Sequence, residues 1–331
     1  EQATVGIKSA VPAFFDLGEI YQQQGKLEQA QAVYQKALEI EPTAAKAQYK
    51  LGTIYLQQRA FAEAIACFRL TIKHDPDFSW AYRDLVKTFL LTEKWDEAIS
   101  TCYAIINLVE EYPWVYSHLG NALRAKGRLA EAAFNFQKAC EQRGWDQCVA
   151  HNYFFSTDIF SHRIPLWSEQ LESLMGQSIN ALEVGCYQGM SSCWLLDQLL
   201  THQASHLTCI DSQFADKFKE NIIKTGAESK VSLCKGETHQ KLAECTPNSF
   251  DLIHLQDRCK LIQHSETNAQ LAWTLIKSGG LIIFAYYGWR NPQDPQQDPR
   301  AGIDRFLTSV KDQWQTVHLS PPTFQLIIRK L

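Results

Sequence analysis

Nowhere in the 331 residues does an apolar run approach the roughly 18 consecutive residues needed to cross a bilayer. The first residues also lack the charged-then-apolar plan of a secretory leader. The expectation is a cytoplasmic chain with no membrane partner. No two of its ten cysteines form a C-x-x-C pair, and several fall inside apolar segments, Cys67, Cys102, Cys209 and Cys234 among them. That scatter signals neither a disulfide framework nor a zinc site, and suits small buried thiols in a reducing compartment. Clusters of Lys and Arg are missing too: 16 basic residues face 18 acidic ones up to Asp146, and the remainder repeats the balance. Neither half has the positive field of a nucleic-acid binder, which excludes nucleic acid as an expected partner. The phosphate-binding pattern G-x-x-x-x-G-K-[ST] is absent, which excludes that class of nucleotide hydrolase. What remains is 45% hydrophobic and 21% charged, material for two ordinary domains.

Self-similarity organises the first half. Leu17, Leu51, Leu85 and Leu119 stand 34 residues apart, followed by Gly18, Gly52, Val86 and Gly120, and by Tyr21, Tyr55, Phe89 and Leu123. A second series repeats Ala30, Ala64, Ala98 and Ala132, then Tyr34, Phe68, Cys102 and Phe136. Small residues let paired helices approach, large apolar ones fill the space between hairpins, and Pro42 and Pro76 stop the second helix of their repeats. The period and its residues resemble the tetratricopeptide repeat. The expectation is an α-solenoid of four units at 11–44, 45–78, 79–112 and 113–146.

In that family the concave groove is lined from fixed positions of each unit. Carried onto this chain, the resemblance implies Phe15, Glu19 and Gln22, then Lys46, Tyr49 and Thr53, then Trp80, Arg83 and Lys87, then Trp114, Ser117, Asn121 and Arg124. Such a groove is basic and aromatic inside an acidic half. It suits an extended protein or peptide partner with carboxylates and an apolar anchor. Packing of the same surface on the second domain is the alternative.

After a lead-in at 147–177 the period vanishes, and in 178–331 short apolar runs alternate with helical stretches. The runs are 181–186, 207–211, 231–235, 250–256 and 280–286, an order that implies right-handed crossovers and a parallel sheet with ligands at its carboxyl edge. Two further runs, 316–319 and 324–329, are joined too tightly for a crossover and read as an antiparallel hairpin. The first loop, Leu182-Glu183-Val184-Gly185-Cys186-Tyr187-Gln188-Gly189-Met190-Ser191, lacks the G-x-G-x-x-G of a dinucleotide site. It resembles instead the E/D-x-G-x-x-x-G loop of class I S-adenosylmethionine-dependent methyltransferases, a Rossmann-like seven-stranded fold. The resemblance implies a cofactor site of Glu183, Gly185, Cys186, Tyr187, Gly189, Ser191, Asp211 and Ser212. There Glu183 would hold the methionine ammonium and Asp211 the ribose hydroxyls.

Phe160-Ser161-His162-Arg163-Ile164-Pro165-Leu166-Trp167 is similar to the lead-in of the catechol O-methyltransferase branch. That branch holds a divalent metal with carboxylates after its fourth and fifth strands, where this chain has Gln256-Asp257-Arg258-Cys259 and Ala285-Tyr286-Tyr287. A hard cation needs oxygen ligands that these residues scarcely supply, so no metal is expected. Asp257 is the nearest carboxylate for assisting proton loss, with His254 and Tyr286 as second choices. Each has a structural alternative: helix cap, core residue and packing, respectively. The Pro-, Gln- and Asp-rich segment 291–300 is a loop placed to cover a substrate, or a plain insertion. Two functions follow: methyl transfer to a small-molecule or carrier-borne acceptor recruited by the repeats, or a catalytically degenerate adaptor.

Overall fold

The computed structural model describes residues 11–108, 112–256, 262–289, 294, 297–320 and 325–331. The chain divides into two compact units, Glu1–Asn135 and Phe136–Leu331.

In the first unit, helices pair as hairpins: α1 (Val11–Gln23) with α2 (Leu27–Ile40), α3 (Ala45–Gln57) with α4 (Phe61–His74), and α5 (Ser79–Leu91) with α6 (Trp95–Leu108). Then follow α7 (Pro113–Ala125) and α8 (Leu129–Glu141), the latter running across the division. The close approach of paired helices depends on missing side chains. A Cβ on Gly18 would stand 2.5 Å from the Tyr34 ring, and one on Gly52 2.7 Å from the Phe68 ring. The turn inside each hairpin takes a left-handed residue at the same register: Gly25, Arg59, Glu93 and Gly127 all have φ between 57° and 76°. Glycine meets that demand freely, whereas Arg59 and Glu93 accept it at about 1 kcal/mol. Among the described residues no helix is long and apolar enough to cross a membrane.

The second unit is built on a seven-stranded sheet in the order β3-β2-β1-β4-β5-β7-β6. Its strands are β1 (Asn180–Val184), β2 (His206–Asp211), β3 (Val231–Lys235), β4 (Phe250–Leu255), β5 (Ile276–Phe284), β6 (Trp314–Ser320) and β7 (Gln325–Lys330). The first five run parallel, while β7 is antiparallel to both β5 and β6. This is the expected Rossmann-like methyltransferase architecture, hairpin included. One difference lies at β5, expected from Gly280: Ile276 already pairs with Phe250, and a register shift before Leu252 absorbs the Ser278-Gly279-Gly280 step.

This unit's helices are α9 (Gln147–Ala150), α10 (Ile164–Gln170), α11 (Met190–Trp194), α12 (Asp216–Lys224), α13 (Thr238–Ala243), α14 (Ile262–Leu275) and α15 (Pro299–Ser309), and strand side chains alternate between two cores. On one face Leu182, Val184, Ile253 and Ile282 pack beneath α14 (Ile262–Leu275) and α15 (Pro299–Ser309). On the other, Ala181, Leu252, Leu281 and Ile283 meet Phe160, Ile164, Trp167 and Trp194. The lead-in supplies much of that second core, with Tyr153, Phe155 and Phe160 fully buried alongside Trp145, which precedes it. Two polar ends in this layer meet one acceptor: Asp197, in the wide turn after α11 (Met190–Trp194), accepts from Trp145 Nε1 at 2.9 Å and from Tyr153 Oη at 2.9 Å. All described cysteines are free thiols, seven of them buried, with Cys234 and Cys245 half-buried.

Candidate functional site

The carboxyl ends of β1, β2 and β3 open onto a cleft of about 740 Å³. Its floor is the loop after β1, whose course needs three left-handed residues, Gly185 (φ 82°), Tyr187 (φ 53°) and Gly189 (φ 83°). At Gly189 a Cβ would also press the Phe218 ring at 3.0 Å. The loop is tied to the next strand. The Gly185 N–H donates to Ile210 O at 2.9 Å and the Tyr187 N–H to Asp211 Oδ2 at 3.2 Å, while the Gln213 N–H reaches Asp211 Oδ1 at 3.1 Å. A carboxylate offers about four acceptor directions. Asp211, held by two of them and half-buried at the cleft wall, keeps capacity for hydroxyl donors.

The expected cofactor residues separate into two layers. Gly185, Tyr187, Asp211 and Ser212 line the cleft. Glu183, Cys186, Gly189 and Ser191 lie beneath it, each buried. Glu183, expected to reach an ammonium, is 0% exposed and accepts hydrogen bonds from Ser191 Oγ, Ser192 Oγ and, at 3.0 Å, His254 Nδ1. It thus braces the start of α11 from below. His254 itself is 0% exposed and edge-on to the Trp167 ring at 4.7 Å. Burial drives its pKa below the ordinary value, outweighing the adjacent carboxylate, so the contact is a neutral Nδ1–H donated to Glu183. Glu183, Cys186 and Cys209 also bring possible ligand atoms within 4.8 Å of one another. Burial pushes both thiols up, and the Glu183 oxygens are already engaged by Ser191, Ser192 and His254.

The rest of the cleft comes from residues that sequence reasoning missed. Glu237, Thr238 and His239 follow β3, Gln263, His264, Thr267 and Asn268 belong to α14, and Gln213 and Ala215 continue the wall from Ser212. The signal for the first group was present: in a parallel sheet the residues after β3 must share an edge with Asp211. Nothing local marked the second.

Beyond the cleft, Asp257 lies outside the described residues, as do 291–293 and 295–296 of the expected covering loop 291–300. Tyr286 is half-buried after β5. The hydroxyl of Tyr287 donates to Asp304 at 2.7 Å, a packing role on α15. Arg163, from the lead-in, reaches the same edge: Nη1 donates to Gln256 Oε1 at 3.5 Å, Nη2 donates to Ala285 O at 3.3 Å, and the guanidinium lies 6.0 Å from the centre of the Tyr286 ring.

In the repeats, the implied groove residues partly engage one another. The Arg83 guanidinium stacks 4.1 Å over the Trp80 ring and lies 3.5 Å from Asp84, which accepts from the Tyr49 hydroxyl at 2.7 Å. Trp80 stays 55% exposed, and Lys46, Lys87 and Arg124 are exposed. Trp114 sits against Tyr112 and His118, and Asn121 is half-buried.

Residues 182–285 match a family model described as a methyltransferase domain. Residues 18–59, 45–78 and 115–143 match tetratricopeptide repeat models. Among curated proteins nothing matches. Similar solved structures include the MamA protein, 25% identical over 41% of this chain and 75% of that one, with a TM-score of 0.39. Another is YrrB, a repeat protein with an unusual peptide-binding site, 21% identical over 48% and 91%, TM-score 0.36. A third is the O-methyltransferase TomG from Streptomyces achromogenes, solved with S-adenosylmethionine, 17% identical over 50% and 80%, TM-score 0.41.

Proposed function

Because the chain joins tetratricopeptide repeats to a methyltransferase domain, we propose that it carries out S-adenosylmethionine-dependent methyl transfer, with the repeat groove recruiting the acceptor or a protein that bears it. The observation that carries this reading is Asp211. It is a carboxylate anchored by two backbone N–H groups, with spare acceptor capacity, at the wall of a cleft large enough for a nucleoside ligand. The residues present fit the cofactor. Asp211 would take the ribose hydroxyls, the left-handed loop at Gly185 and Tyr187 would let backbone approach, and Glu237 and Asn268 would bound the far side. Glu183, Ser191 and Cys186 would act from beneath by fixing the loop's shape, with His254 positioning Glu183. When bound, the cofactor supplies an electrophilic methyl group on a sulfonium. The chain's part is to orient the acceptor and assist proton loss, for which Asp257 is the proposed base and Tyr286 a wall or hydrogen-bond partner.

A divalent metal does not fit the place that the catechol branch gives it. Gln256 offers a neutral amide oxygen already facing Arg163, Ala285 offers no side-chain ligand, and the guanidinium would repel a second cation. No step is assigned to a metal.

Calorimetric titration with S-adenosylmethionine and with S-adenosylhomocysteine tests the reading. Wild type should bind both. Asp211→Ala should weaken each by roughly tenfold or more, on the order of one charge-assisted hydrogen bond lost. Absence of binding to either ligand would leave the adaptor reading, in which the repeats alone carry function.

A further inference from the structure

The loop after β1 is held from two sides. On the cleft side the Tyr187 N–H donates to Asp211 Oδ2. On the other side stands the lead-in, and two side-chain amides join it to the loop. Asn221, on α12 and 0% exposed, pairs with Phe154 as a neighbouring strand would: its Oδ1 accepts the Phe154 N–H at 2.9 Å, and its Nδ2 donates to Phe154 O at 2.9 Å. The same Nδ2 donates to Gln188 O at 3.0 Å, so one carboxamide grips lead-in and loop together. Gln188 grips in return. Its Oε1 accepts from the Ser156 N–H at 2.7 Å and from Ser156 Oγ at 3.1 Å. Phe155, between the two contact points, is fully buried against Trp145. Alternate residues of the segment thus face the loop and the core.

What this double grip secures is Tyr187. It is the one left-handed residue of the loop that is not glycine, with φ 53°, and it lines the cleft. A side chain in that region is strained and persists where its surroundings over-determine it. Here its N–H is fixed by Asp211, the next residue is fixed by Asn221 and Ser156, and its hydroxyl lies 3.5 Å from Ser156 Oγ. A loop held ready in this way lowers the ordering entropy that a ligand must otherwise offset.

We infer that Gln188 and Asn221 are positioning residues for the nucleoside ligand of the cleft, and that segment 154–156 of the lead-in acts on the site through them. The inference rests on the methyl-transfer reading for the identity of that ligand. Both side chains act through Tyr187. By linkage, a ligand that favours the ordered loop also tightens 154–156, and loosening 154–156 weakens the ligand.

Converting the two amides to acids separates positioning from packing. Both Ser156 contacts use the Gln188 oxygen, so Gln188→Glu keeps the acceptor, whereas Gln188→Met keeps the volume and removes it. Asn221 donates to two carbonyls, so Asn221→Asp sets a carboxylate against both. In calorimetric titrations of the full chain with S-adenosylhomocysteine, Gln188→Glu should stay within about threefold of wild type, and Gln188→Met and Asn221→Asp should bind roughly tenfold more weakly. In hydrogen–deuterium exchange, saturating S-adenosylhomocysteine should slow segment 154–157 in wild type and Gln188→Glu but not in Gln188→Met. If Gln188→Met does not fold, Ser156→Ala, which removes one of the two donors, should weaken the ligand several-fold. Wild-type affinity in Gln188→Met, in its Ser156→Ala substitute or in a folded Asn221→Asp, equal losses in Gln188→Met and Gln188→Glu, or no slowing at 154–157 in wild type overturns the inference. Each of these leaves the methyl-transfer reading standing, because wild type still binds S-adenosylhomocysteine. A wild type that does not bind it removes that reading and this inference together.

Discussion

A carboxylate with no exposed surface, Glu183, is tolerated because three donors converge on it: Ser191, Ser192 and His254. The arrangement makes a pH prediction whose sign follows from the imidazole. Folding holds His254 below its ordinary value of 6.5, whereas the unfolded chain leaves it near that value. As pH falls through 6.5 the unfolded chain takes up a proton that the folded chain refuses, so this stability is present above that pH and is lost below it. Urea unfolding midpoints should fall between about pH 7.5 and about pH 5, and His254→Asn, which cannot titrate, should flatten the change. An equal decline in both proteins would assign the effect elsewhere. His254 was readable as a second choice for assisting proton loss or as a core member of its strand; its partner lies 71 residues away, and no local pattern joins them. Asp211 was readable because a strand end and a motif coincide on it. Arg163 was quoted for its resemblance and not for its charge, since only packing brings it to Gln256, 93 positions on.

Paired helices in the repeats obey a size rule across each hairpin. Gly18 faces Tyr34, and Gly52 faces Phe68. In the third repeat the same two registers hold Val86 and Cys102, both 0% exposed: the small position has grown and the large one has shrunk. The lapse from the repeat pattern is therefore a volume-conserving exchange, which cores tolerate best. Cys102→Phe alone should overpack the hairpin and lower stability by about 1–3 kcal/mol. Combining it with Val86→Gly should recover a large part of that loss, a coupling read from a double-mutant cycle in urea. Strict additivity of the two changes would refute the size rule. At this scale the sequence was most transparent, because a fixed period exposes each register four times over. The sheet was nearly so: alternation and connection length gave its parallel strands and closing hairpin, though not the order β3-β2-β1-β4-β5-β7-β6. What escaped was the early start of β5, where Gly279-Gly280 reads as a turn until Ile276 finds Phe250.

Across the whole chain the net charge is −4, so an acidic partner meets overall repulsion and must be drawn by local cations. In the first unit these are Lys46, Lys87 and Arg124, all exposed, together with Arg83 laid on Trp80. A fluorescent acidic peptide with one aromatic residue should bind more weakly as salt rises, and Arg83→Ala with Arg124→Ala should weaken it by about tenfold. Salt-independent binding, or no change in the double variant, would reject the groove as the docking surface. The scattered thiols have a different consequence. Cys67 and Cys102 sit in two successive hairpins, Cys140 and Cys148 just past residue 135, and Cys186, Cys193 and Cys209 around the loop after β1. Being buried, each becomes alkylatable only when its own element opens, so the native chain carries position-specific clocks for local unfolding. Slower reaction at Cys186 than at Cys67 upon adding a ligand would tell which unit that ligand tightens, with no label introduced from outside.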